Sequence, residues 1–159
     1  MTKYFLKIGQ SLVEVLISLS IAIAVLSAIT VAVVYSLRNA QFSKNQNLAT
    51  HYASQGMEVI RQIRDTKSSL NGYSGGYCLP EGATTLNPNS IPPCGQNVSI
   101  YSREVSIEAA PECTGTDSYK VTVKVSWWDN ACGATSNFCH KAQLISCLSD
   151  RKNSINISL

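Results

Sequence analysis

The chain has 159 residues, the length of one ordinary domain, and is 45% hydrophobic, 14% charged and 8% aromatic, with six cysteines and two histidines. So much apolar surface with so little charge excludes a disordered chain, and a formal charge of +3 is too small for the dense basic face of a nucleic-acid binder. These averages conceal two unlike halves, because every cysteine lies at or after position 78 and the longest uncharged apolar run ends before position 38.

That run extends over 23 residues from Val15 to Leu37, with neither Pro nor Gly. As a helix it would cover about 35 Å, slightly more than the ~30 Å hydrocarbon core of a bilayer. Its apolar residues surround the helix on all sides, which predicts a membrane span rather than a soluble amphipathic face. Lys3 and Lys7 precede the run and Arg38 and Lys44 follow it, so the flanking charges leave orientation open. The cysteines decide it. Six of them between positions 78 and 147 predict a disulfide framework, hence a C-terminal part in an oxidising compartment and a cytoplasmic N-terminus. A cleaved secretory signal is the rival reading, since Ala22-Ile23-Ala24 matches a small-residue cleavage motif. It fails on the ten apolar residues beyond Ala24, which a mature protein would expose to water.

Glu14 is the one charge embedded in this apolar sequence, within Ser-Leu-Val-Glu-Val-Leu-Ile. A carboxylate at the centre of a span costs ~3 kcal/mol on insertion scales, and little near the headgroups. A headgroup position explains why it is tolerated. A role for the charge requires a cationic partner in a low-dielectric place.

The segment Lys7-Ile8-Gly9-Gln10-Ser11-Leu12-Val13-Glu14-Val15-Leu16 resembles the processing site of type IV pilins and type II secretion pseudopilins. The resemblance implies a leader over residues 1–9 and cleavage by a prepilin peptidase between Gly9 and Gln10. It further implies N-methylation of Gln10 and subunit assembly through Glu14, whose carboxylate would neutralise the terminal amine of a neighbouring subunit. The implied partners are other pilin subunits in a helical filament, the inner-membrane assembly platform, and membrane lipid before assembly. Two departures stand out. Gln10 replaces the aromatic residue usual at the mature N-terminus, and the span has no kinking Pro. The second departure favours a minor pilin or pseudopilin over a major subunit. The likeness is close over residues 3–36 and architectural beyond them.

Residues 10–37 are thus read as the membrane and filament-core half of a helix, and residues 38–65 as its amphipathic half. In the latter, Leu48, Tyr52, Gly56, Ile60 and Ile63 recur at three- and four-residue steps beside Ala49, Ala53 and Met57, a stripe for packing on the protein's own core. The two halves join into one helix from about Ser11 to Asp65, roughly 80 Å long. Residues 66–97 form a loop region rich in Gly, Pro, Ser and Asn, bracketed in large part by Cys78 and Cys94. Tyr73 and Tyr77 within it suit ordinary loop packing better than a subunit contact.

Residues 98–159 carry three strand-like segments, namely Val98 to Ala109, Tyr119 to Trp128 and His140 to Leu148. In the first, Val105, Ile107 and Ala109 share a face. In the second, Tyr119, Val121, Val123, Val125 and Trp127 alternate with polar residues, so Trp127 belongs in the core. Trp128 points the other way and is either an exposed aromatic or covered by a loop. The expected fold is α+β: a long N-terminal helix whose second half packs on a disulfide-stapled antiparallel sheet of about three strands.

Cys78, Cys94, Cys113, Cys132, Cys139 and Cys147 allow fifteen pairings. Proximity in sequence suggests Cys78–Cys94 and Cys132–Cys139, leaving Cys113–Cys147. No zinc-type spacing occurs, so no metal is expected. Cys139 and His140 are adjacent and would face opposite sides of a strand, which excludes a direct nucleophile–base pair. His51 lies among polar helix neighbours, the acids after position 66 are scattered, and no phosphate or dinucleotide cradle is present, so neither catalysis nor a cofactor is expected. Asn97-Val98-Ser99 and Asn156-Ile157-Ser158 are weak glycosylation sequons. The expected protein is a structural subunit of a type IV pilus-like or type II secretion-like filament. It starts as a single-pass inner-membrane protein and ends in a cell-surface pilus or periplasmic pseudopilus. The alternative is a single-span membrane-anchored, disulfide-rich extracellular binding module. From Thr66 onward seven bases meet seven acids, which gives that part no net charge to attract nucleic acid.

Overall fold

The computed structural model describes residues 5–113, 117–129, 132–133 and 138–150, with the backbone alone over 5–11. The chain divides into two units between Lys44 and Asn45, seven residues beyond the end of the apolar run. A single helix, α1 (Phe5–Lys67), supplies the first unit and the opening of the second. It stops where Ser68 takes a positive φ of 63°, and Arg64 and Lys67 place cations in its last turn, where the helix dipole favours them. Residues 1–4 of the expected leader lie outside the described residues.

In the first unit the apolar side chains from Leu12 to Leu37 are exposed throughout, as the all-round pattern requires. The hydroxyls of Ser18, Ser20, Ser27 and Thr30 donate to the carbonyl oxygens four residues earlier, at 2.7–2.8 Å. These polar groups are therefore satisfied inside the helix and present no unpaired donor to lipid.

Among its described residues the second unit contains four strands rather than three: β1 (Gly75–Cys78), β2 (Tyr101–Ala109), β3 (Ser118–Trp127) and β4 (His140–Ser149). They form one antiparallel meander in the order β1-β2-β3-β4. The additional strand β1 lies within the segment read as loop. Gly75 and Gly76 make up half of it and hide its pattern, and pairing of Tyr77 with Val105 and Cys78 with Glu104 holds it extended. β2 begins at Tyr101 instead of Val98. Val98 and Tyr101 exchange backbone hydrogen bonds across a tight turn in which Ser99 takes φ 53°. Ala109 is exposed, and the buried side of β2 ends at Ile107.

Ala49, Ala53, Met57, Ile60 and Ile63 of α1 join Tyr101, Val105, Ile107, Val121, Val123, Val125 and Trp127 of the sheet in one core. The helix stripe is therefore centred on Ala49, Ala53 and Met57, with Leu48 and Tyr52 at its margin. Tyr77 and Leu79 enter the same core from the loop side, and Tyr73 packs against it. The bonds Cys78–Cys94, Cys113–Cys147 and Cys132–Cys139 staple the unit: two are the pairs that proximity suggests, and Cys113–Cys147 is the one left over.

Candidate functional site

The sequence directs attention first to Gly9, Gln10 and Glu14. All three lie in α1, but the side chains of residues 5–11 are outside the described part, so only Glu14 can be placed in detail. Its side chain is exposed on the apolar helix, and its carbonyl oxygen accepts the Ser18 hydroxyl at 2.7 Å. Glu14 thus stands one turn inside an apolar surface that is long and lipophilic enough to cross a membrane, with none of that surface buried within the protein.

The second unit is organised around Arg103, a residue that the hydrophobic pattern does not single out. It shares the parity of Val105 and Ile107 on β2 and so points into the core, where it is 3% exposed. Its Nε donates to Leu79 O at 2.9 Å, Nη2 to Pro80 O at 2.8 Å and Nη1 to Tyr52 O at 3.2 Å. Three carbonyls from a loop and a helix are thereby tied to one strand by a single fork of donors. Burial lowers the Arg103 pKa from its ordinary value, and the nearby charge of Glu81 partly opposes that shift. Parity with its apolar neighbours is the signal in the sequence that marks Arg103 as inward-facing.

Asn97 closes the same region. Its amide nitrogen donates to Arg103 O at 2.9 Å, and its Oδ1 accepts from Arg103 N at 2.7 Å. A glycan on that nitrogen would break this reciprocal pair, so the first sequon is poorly suited to modification. Asn156 of the second sequon lies outside the described residues.

Folding also brings together Asp129, Cys132, Cys139 and His140, whose ligand-type atoms all lie within 4.8 Å of one another. The Trp127–His140 pairing of β3 with β4 and the Cys132–Cys139 bond draw them together. The two sulfurs are bonded to each other, which removes the thiolates that a metal would require. What remains is an ion-pair geometry, His140 Nε2 to Asp129 Oδ1 at 3.1 Å. His140 stacks on Trp127 with ring centroids 5.4 Å apart, and the aromatic row continues through Tyr101 to Tyr52. The row bridges helix and sheet at one end of the core. His51 is exposed and hydrogen-bonds Gln55.

A cleft of about 230 Å³ opens between the end of α1 and the following loops, with Ile63, Thr66, Lys67, Tyr73 and Thr84 among its walls. Its walls offer hydroxyls, the Gln62 amide and the Lys67 ammonium. No family model, curated protein or solved structure matches the chain.

Proposed function

We propose that this chain is a pilin-like structural subunit, a minor pilin or pseudopilin in preference to a major one. In this reading it is cut after Gly9, methylated on Gln10 and assembled into a filament through its N-terminal helix. The observation that carries it is the fully exposed apolar surface from Leu12 to Leu37, with Glu14 set into it. Such a surface requires lipid or other helices around it, and a carboxylate within it requires a cation. A neighbouring subunit displaced along the filament axis supplies both, through its own apolar helix and the amine of its Gln10. In this reading the second unit lies on the oxidising side and forms the filament surface, and its three disulfides support that side.

N-terminal mass spectrometry of the chain from its native membrane tests the processing step. The expected mature protein begins at Gln10 with one added methyl group, whereas an intact Met1 or a start after Ala24 overturns the proposal. Recovery in sheared extracellular filaments supports the subunit role over a permanently anchored binding module. Glu14→Ala should leave membrane insertion intact while reducing filament incorporation, and unchanged incorporation would remove the pairing role.

A further inference from the structure

The sheet of the second unit has a polarity along its strands. At one end Tyr101 pairs with Trp127, and Trp127 with His140. The Tyr101 hydroxyl lies 3.4 Å from the carbonyl oxygen of Asn45, the residue with which the second unit begins. This is therefore the end at which the chain enters from its apolar run. Seven residues, Arg38 to Lys44, separate Leu37 from Asn45. They cover about 12 Å as helix and no more than about 28 Å fully extended. With Leu37 at the hydrocarbon boundary, the Asn45 end is tethered within reach of the headgroup layer.

Two large apolar side chains stand out at that end. Trp128 follows the last residue of β3 and is 46% exposed, and Ile100 precedes the first residue of β2 and is 45% exposed. Each lies one residue beyond the terminal Tyr101–Trp127 pair. Charges of both signs occur there: Lys141 is exposed one row in from the end, opposite Ser126, Asp129 faces His140 at 3.1 Å, and exposed Glu81 donates its backbone N–H to Asn97 O beside Tyr101.

We infer that the Asn45 end of the second unit is a bilayer-surface contact, with Trp128 and Ile100 seated among the headgroups. A tryptophan with an apolar body and a polar N–H favours the interface over bulk water or hydrocarbon. The contact steadies the folded unit on the membrane before the chain leaves it. The inference rests on the reading of residues 15–37 as a bilayer span.

The full chain is placed in vesicles of phosphatidylcholine containing phosphatidylglycerol, with a lipid spin-labelled at the headgroup as quencher. Wild type is compared with Trp128→Phe, in which the buried Trp127 supplies the remaining emission. Quenching should be about twofold stronger in wild type, as expected for an interfacial indole. Equal quenching of wild type and Trp128→Phe overturns the contact, as does quenching that changes with the protein-to-lipid ratio, which assigns the patch to a second copy. Alkaline extraction of the same vesicles separates the two readings. A chain that stays embedded yet shows equal quenching loses only the surface contact, whereas a chain that is extracted loses the span and the contact with it.

Discussion

Gly56 of α1 and Val123 of β3 meet so closely that a Cβ on Gly56 would lie 2.9 Å from Val123 Cγ1. The same added carbon would stand 3.2 Å from Arg103 Cδ. The missing side chain lets the helix settle on the sheet and leaves a channel for the Arg103 stem to pass beneath the helix toward Tyr52 O.

Gly56→Ala should therefore destabilise the protein although alanine is the better helix former. The propensity gain is about 1 kcal/mol at most, while overpacking against the Val123 branch and the Arg103 stem costs ~1–3 kcal/mol. The expected net loss is about 1 kcal/mol, read from the denaturation midpoint of the detergent-solubilised chain by tryptophan fluorescence. An unchanged or raised midpoint would show that the helix shifts freely on the sheet.

Arg103→Met keeps the length and volume of the stem but leaves Leu79 O and Pro80 O without their buried donors. The expected loss is ~2–4 kcal/mol, at the usual cost of orphaned buried acceptors. Arg103→Lys should recover little of it, because one ammonium cannot reach three carbonyls that a planar fork spans. Full rescue by lysine, measured by the same denaturation assay, would reduce the role of Arg103 to its charge.

The three disulfides should rank by the loop each one closes. Cys113–Cys147, Cys78–Cys94 and Cys132–Cys139 are separated by 34, 16 and 7 residues. Chain-entropy arguments give about 3.8, 3.1 and 2.5 kcal/mol respectively. Paired Cys→Ala variants compared by denaturation midpoint should follow that order, and a larger loss at Cys132–Cys139 would point to its contact with Asp129 rather than to loop closure.

Stability should fall as pH rises above about 10. Burial, followed by the neighbouring Tyr52, raises the Tyr101 phenol above its ordinary value of 10.0. A group whose folded pKa is raised holds its proton more tightly in the folded state. Its contribution is complete below the unfolded pKa and is lost as pH climbs through the folded one. Denaturation midpoints measured across that window should decline more steeply for wild type than for Tyr101→Phe, and parallel declines would assign the alkaline loss to other groups.

Much of this architecture is legible in the residues themselves. A helix long and apolar enough to cross a membrane follows from an unbroken apolar run, the helix stripe from three- and four-residue spacing, and β3 from strict alternation between Tyr119 and Trp127. Cys78–Cys94 and Cys132–Cys139 follow from proximity along the chain, and Cys113–Cys147 is the pair that then remains. β1 is not legible, since Gly75 and Gly76 carry no side chains to form a pattern. Arg103 also escapes, because a charge on the inward face of a strand looks like an interruption of the core until its carbonyl partners are in place.

The sequence by itself determined the division between an apolar helix and a stapled sheet, since both depend on local periodicity and on how much apolar surface each segment must remove from water. The tertiary structure alone decided that Gly56 is the point of closest helix–sheet approach, that Arg103 joins loop, helix and strand, and that Trp128 and Ile100 emerge at the Asn45 end. Those outcomes depend on which residues meet across long separations in the chain. Hydrogen-bond direction and steric fit are set only when the helix and sheet close on each other.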